Sequence, residues 1–321
     1  MRLRTTIIAS LIFALLLYGF WHEAVRTGLV ATLGGHIGSA FACFALLLAV
    51  LWYFGFDAGE SIAEALQSRM AHVLAPAALA IPYLVFALPR GEFHWAYAVG
   101  LAALPVALAA LLEFGKLPQK FTWQDGAALL AIAVVLEAGV FARAWPYSGL
   151  GSLPKLYLAD VALYLYVVVR RLEGIGYSFV PHLSDFAIGL REWVFFLPFA
   201  LGLGFATHFI HFYPRVPSVG HVIGGLLVIF LLTAIPEELF FRGILQNLLQ
   251  RRIGGRLALI ITACLFGLSH FNKGDAFNWR YVMIAAIAGV FYGRAWRART
   301  HLFASALTHT LVDVIWGLWF R

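Results

Sequence analysis

Apolar runs about as long as a bilayer is thick recur along this chain, and they constrain its fold more than any other feature. Crossing roughly 30 Å of hydrocarbon takes about 20 helical residues. Eleven runs approach that length, at 5–21, 36–54, 71–88, 95–112, 125–143, 156–169, 192–212, 219–248, 256–271, 281–296 and 300–319. Within lipid a helix satisfies its backbone polar groups inside one segment, so such runs are read as helices. The expected fold is therefore all-α, a polytopic transmembrane helical bundle with about 10–11 spans. The sixth run is the weakest, being short and carrying Asp160. A soluble fold is excluded by composition: 62% of the residues are hydrophobic and 12% charged, against about 25% charged in an ordinary soluble domain.

The net charge of +7 does not point to nucleic acid, because the basic residues form short clusters between apolar runs and never one long stripe. They fit topology instead. With the N-terminus cytoplasmic, Arg2 with Arg4, Lys116 with Lys120, Arg170 with Arg171, Arg251 with Arg252 and Arg256, and Arg294 with Arg297 and Arg299 all fall on one side, as the positive-inside bias requires. The expected location is the bacterial cytoplasmic (inner) membrane, with the lipid bilayer as partner. The first run follows Arg2 and Arg4 with no small-residue cleavage site behind it, so it is expected to stay attached as a span. Cys43 and Cys264 sit inside apolar runs with no partner at metal or redox spacing and read as packing residues. The longest polar stretch, Arg170 to Glu192, holds Gly174, Gly176 and Pro181. It divides N-terminal helices of unassigned role, 1–190, from a C-terminal part, 191–321.

Ionisable residues inside apolar runs are costly, and by default they mark a functional site or a buried pair. The last hundred residues concentrate them. The sequence Pro236-Glu237-Glu238-Leu239-Phe240-Phe241-Arg242-Gly243 places two adjacent carboxylates in mid-run. Glu238 and Arg242, four apart, share a helix face and pair naturally, which leaves Glu237 pointing elsewhere. The next run ends with Phe266 and His270 on one stripe, and the last run repeats that spacing with His309 and Asp313. Depth brings these groups together. Glu237 lies 14 residues from Arg251 and His270 14 from Arg256, each roughly 21 Å in at ~1.5 Å per residue. His309 lies 10 residues from Arg299, roughly 15 Å in.

The series E-E-x-x-x-R, F-x-x-x-H and H-x-x-x-(N/D), carried here by Glu237, Glu238 and Arg242, by Phe266 and His270, and by His309 and Asp313, resembles the CAAX protease and bacteriocin-processing family of intramembrane proteases, related to the type II CAAX prenyl endopeptidase. The resemblance spans about 220–316. It implies that Glu237 is the base, that His270 is its partner on the water, and that His309 with the residue four later forms the oxyanion site. The supporting residues are then Glu238, Arg242 and Phe266, the first two as a structural bridge and Phe266 as packing. At the last position this chain has Asp313 where many members carry Asn, and an ionised Asp only accepts hydrogen bonds. Either Asp313 is protonated and donates, or it is ionised and keeps His309 as an imidazolium donor; the second is the expectation.

No cofactor is expected. Zinc is the alternative, since two His and a Glu could hold it with a position open for water, although no H-E-x-x-H is present. The expected substrate is a peptide or membrane-anchored protein; oligomeric state is not legible. Two other functions compete. An intramembrane Glu and His relay or transporter would use the same residue types, but no internal repeat is found. A catalytically inactive immunity or binding protein would keep the scaffold alone.

Overall fold

The computed structural model describes residues 3–115, 117–273 and 277–320; Arg2 and Lys116, used in the charge argument, lie outside the described residues. Each of the eleven apolar runs forms a helix, some trimmed at their ends. The only β pairing among the described residues is an isolated bridge between Phe212 and Phe320. Two compact units divide the chain. One comprises 1–118 and 122–172, the other 119–121 and 173–321.

The first unit holds α1 (Leu3–Arg26), α2 (Ile37–Phe54), α3 (Arg69–Arg90), α4 (Trp95–Glu113), α5 (Trp123–Glu137) and α6 (Leu153–Leu163). A π-helical segment, Tyr164–Val169, extends α6. Helix α6 is enclosed: Leu156 to Tyr166 is buried without a break, Asp160 included. Neither carboxylate oxygen of Asp160 has a hydrogen-bond partner among the described residues. Helix α1 is the opposite case, with Ile8, Leu11, Leu15 and Tyr18 exposed along its outer face, and the Trp52 indole donates to the Ala9 carbonyl at 2.9 Å on its inner one. Thr122 and Asp125 form a capping box that starts α5. The same buried Asp125 receives Arg170 at 3.2 Å.

The second unit holds α7 (Leu183–Ala206), α8 (Val219–Ile253), α9 (Gly255–Leu268), α10 (Trp279–Arg299) and α11 (Leu302–Trp319). Side-chain caps set three of the starts: Ser218 for α8, Asn278 for α10, and His182 with Asp185 for α7. Asp185 also meets His301 Nδ1 at 2.8 Å, tying the start of α7 to that of α11. Helices α9 and α10 come very close. A Cβ on Gly267 would stand 2.5 Å from the Val282 carbonyl oxygen, and one on Gly289 would stand 3.0 Å from the Ala263 Cα, so small residues set this contact.

Among the described residues, seven helices are both long and apolar enough for a full crossing. These are α1, α2 with its preceding turns, α3, α4, α7, α8 and α11. Helix α10 is long but carries Arg280, Arg294, Arg297 and Arg299, whereas α9 runs only 14 residues. Cys43 is fully buried as expected, but Cys264 is exposed. The correction follows from helical phase, since Ala263, Phe266 and Gly267 take the inward face of α9.

Apart from 119–121, the second unit starts at Glu173, within the polar stretch from Arg170 to Glu192. The segment before α7 is anchored by its backbone. The Glu173 carbonyl accepts from Asn247 at 2.8 Å, that of Ile175 from the Trp296 indole at 3.1 Å, and that of Gly176 from the Leu302 amide at 2.9 Å. Gly176 has φ +72°, and a Cβ there would fall 2.1 Å from the Thr300 carbonyl oxygen. Gly176→Ala should therefore cost about 2 kcal/mol or more in stability, from left-handed strain plus the clash, read as a lowered thermal midpoint; an unchanged midpoint would show that the segment shifts freely.

Candidate active site

Glu237 and Glu238 sit where α8 abandons regular geometry. Pro236 has no N–H and clashes with the carbonyl four residues earlier, and wide π-turns lie on both sides, over Phe230–Ala234 and Leu239–Gln246. Such turns often occur at functional sites, because they rotate side chains out of the ordinary helical phase.

Glu238 is completely buried and is held from three directions. Arg242 Nη1 donates to its Oε1 at 3.0 Å, His309 Nδ1 lies 2.8 Å from the same oxygen, and the Ser305 hydroxyl donates to Oε2. Arg242, equally buried, also donates to the Gly289 carbonyl at 3.1 Å and lies 4.4 Å over the Phe266 ring. The pairing of Glu238 with Arg242 read from sequence is present. Because a carboxylate accepts, His309 presents an N–H at Nδ1 to Glu238.

His309 is the hub of the cluster. Its Nε2 faces Asp313 Oδ2 at 3.4 Å and Glu237 Oε2 at 3.8 Å. Tyr292 stacks on its ring at 4.6 Å with planes 16° apart, and Phe266 meets it edge-on at 5.7 Å. Four helices, α8, α9, α10 and α11, thus fix the orientation of one imidazole. His270, at the end of α9, joins through aromatic contacts, its ring 4.9 Å from Phe266 and 4.9 Å from Tyr281. Its Nδ1 lies 2.8 Å from the Phe266 carbonyl. A carbonyl only accepts, so the hydrogen sits on Nδ1 and the lone pair of the neutral ring on Nε2.

His270, His309 and Asp313 line a cavity of about 80 Å³ whose other walls are largely apolar, among them Phe196, Ile284, Ala288 and Trp316. This is room for water and an inserted side chain beside the polar cluster. Glu237 borders the cluster with its side chain 19% exposed. Among the described residues no group of three or more His, Cys, Asp or Glu converges closely enough to hold a metal ion.

All seven residues singled out from sequence, Glu237, Glu238, Arg242, Phe266, His270, His309 and Asp313, therefore gather in the second unit. Ser305, Tyr281 and Tyr292 were missed. Ser305 shared a signal with its neighbours, since 305, 309 and 313 repeat at four-residue spacing along one stripe of α11. The two tyrosines are 11 residues apart, three helical turns on one face of α10, but an aromatic on an apolar helix looks like packing until its neighbours are known.

A polytopic helical bundle with a buried carboxylate and histidine cluster opening on an apolar cavity defines an integral membrane protein with a polar centre inside its helices. Residues 219–315 match the family model of the type II CAAX prenyl endopeptidase Rce1-like proteins, a family of proteases. The resemblance carried by the motifs is thereby shown over the stretch that contains the whole cluster. No match is found among curated proteins or among solved structures.

Proposed function

We propose that the chain is an intramembrane endopeptidase of glutamate type, working without a resident metal. Glu237 takes a proton from a water held between it and His270, and the water oxygen attacks the peptide carbonyl carbon. The carbonyl π pair moves onto oxygen, facing an N–H of His309, and general-base and oxyanion assistance act together. The C–N bond then breaks as the proton on Glu237 passes to the departing nitrogen, which restores the carboxylate. Glu238, Arg242 and Ser305 are positioning residues, acting through His309. The observation that carries the reading is His309, held by Glu238 at one ring nitrogen and faced by Glu237 and Asp313 at the other, on the wall of an apolar cavity.

Asp313 is read as ionised and as orienting His309. Asp313→Asn should then lower kcat by less than about tenfold, within ~1.4 kcal/mol; complete loss of cleavage in that variant would count against the role. The substrate is a membrane-anchored or C-terminal-tail peptide, and a membrane-anchored protein or bacteriocin-like peptide precursor suits a bacterial cytoplasmic membrane. The relay and binding readings share the same polar residues, so the test must read all three. Wild-type protein in proteoliposomes, given anchored peptides and chelator, should release new N-termini while a pH gradient holds. Proton leakage without cleavage would favour the relay, and neither signal would favour a binder.

A further inference from the structure

An oxyanion needs N–H or O–H donors, yet this cluster is rich in acceptors. Glu237, Glu238 and Asp313 contribute six carboxylate oxygens around His309, and each ring nitrogen of His309 already faces at least one of them. A second donor should stand on the cavity wall, uncommitted and close to the reacting groups.

Tyr281 meets those conditions. It sits in the first turn of α10 and lines the cavity with His270, His309 and Asp313. Its ring lies 4.9 Å from His270 and is wedged by Trp316 at 5.2 Å and Phe209 at 5.5 Å, so two χ angles are fixed by packing. Its phenolic hydroxyl belongs to the same cavity lining as His309 and Asp313. No hydrogen bond to that hydroxyl occurs among the described residues. The competing donors fit less well. Trp193 also lines the cavity, but its unpartnered indole N–H is itself buried, and Tyr292 stacks behind His309 with 2% of its surface exposed.

We infer that Tyr281 is a catalytic residue whose phenolic O–H donates a hydrogen bond to the carbonyl oxygen of the scissile peptide as that oxygen becomes negative, alongside His309. The role rests on the protease reading proposed above. It compensates for Asp313, which as a carboxylate offers no donor at the neighbouring position. Losing one oxyanion donor lowers kcat by about 10²–10³, with little change in KM, because the bond strengthens only as charge develops.

The experiment compares wild type, Tyr281→Phe, Asp313→Asn and the double variant in proteoliposomes, using a fluorogenic peptide with an apolar C-terminal anchor. Tyr281→Phe should lose about 10²–10³ in kcat at nearly constant KM and thermal midpoint. Adding Asp313→Asn, which places an amide donor on the same wall, should recover at least about tenfold of that loss. Unchanged kcat in Tyr281→Phe, or a loss that the added Asn leaves untouched, overturns the role of Tyr281 while leaving the protease reading intact. Absence of cleavage by wild type overturns both.

Discussion

Glu237→Gln should lower peptide cleavage by about 10²–10⁴-fold, with the thermal midpoint held. The amide keeps the shape of the side chain and an oxygen to face His309 but accepts no proton, so chemistry is lost and packing is not. Arg242 donates to Glu238, and the side chain of Glu237 is 19% exposed where that of Glu238 is fully buried. Neutralising it therefore leaves Arg242 and His309 their contacts with Glu238. A Gln variant cleaving within about tenfold of wild type, ~1.4 kcal/mol in barrier, would show that another group activates the water.

Arg242→Met should act through stability instead, lowering it by about 3–5 kcal/mol, since removing one partner of a buried ion pair leaves an uncompensated buried charge. Arg242 and Glu238 both have fully buried side chains, and the methionine supplies volume but none of the donors to Glu238 and the Gly289 carbonyl. Glu238 would retain only Ser305 and His309, and the pull on His309 would change with it. Chemical denaturation in detergent, with cleavage measured on the surviving folded fraction, separates the two effects. A midpoint equal to wild type would mean that the pair contributes nothing to the fold.

Much of this architecture was legible because hydrophobic periodicity and helix rise are local properties. All eleven runs are helical, and four-residue spacing correctly paired Glu238 with Arg242 and aligned His309 with Asp313. Other features depend on neighbours distant in sequence. Asp160 looked like a reason to doubt a span, and it lies in the most enclosed helix of its unit. Cys264 looked like core because its run is apolar all round, whereas outward-facing surface in such a bundle is apolar too. The π-turns around Pro236 need the backbone path, since the same residues in an ideal helix would point elsewhere. The boundary at Glu173 depends on three carbonyls that find partners on α8, α10 and α11. Tyr281 and Tyr292 became more than packing only when their rings were seen against His270 and His309.

The meeting of Glu237 and His270 at one water is most directly tested by a double-mutant cycle on kcat/KM with Glu237→Gln, His270→Ala and the two combined. Residues that act as a unit lose their effect together. The combined variant should therefore be about as slow as the slower single variant; losses that multiply would show two independent roles and contradict a shared water.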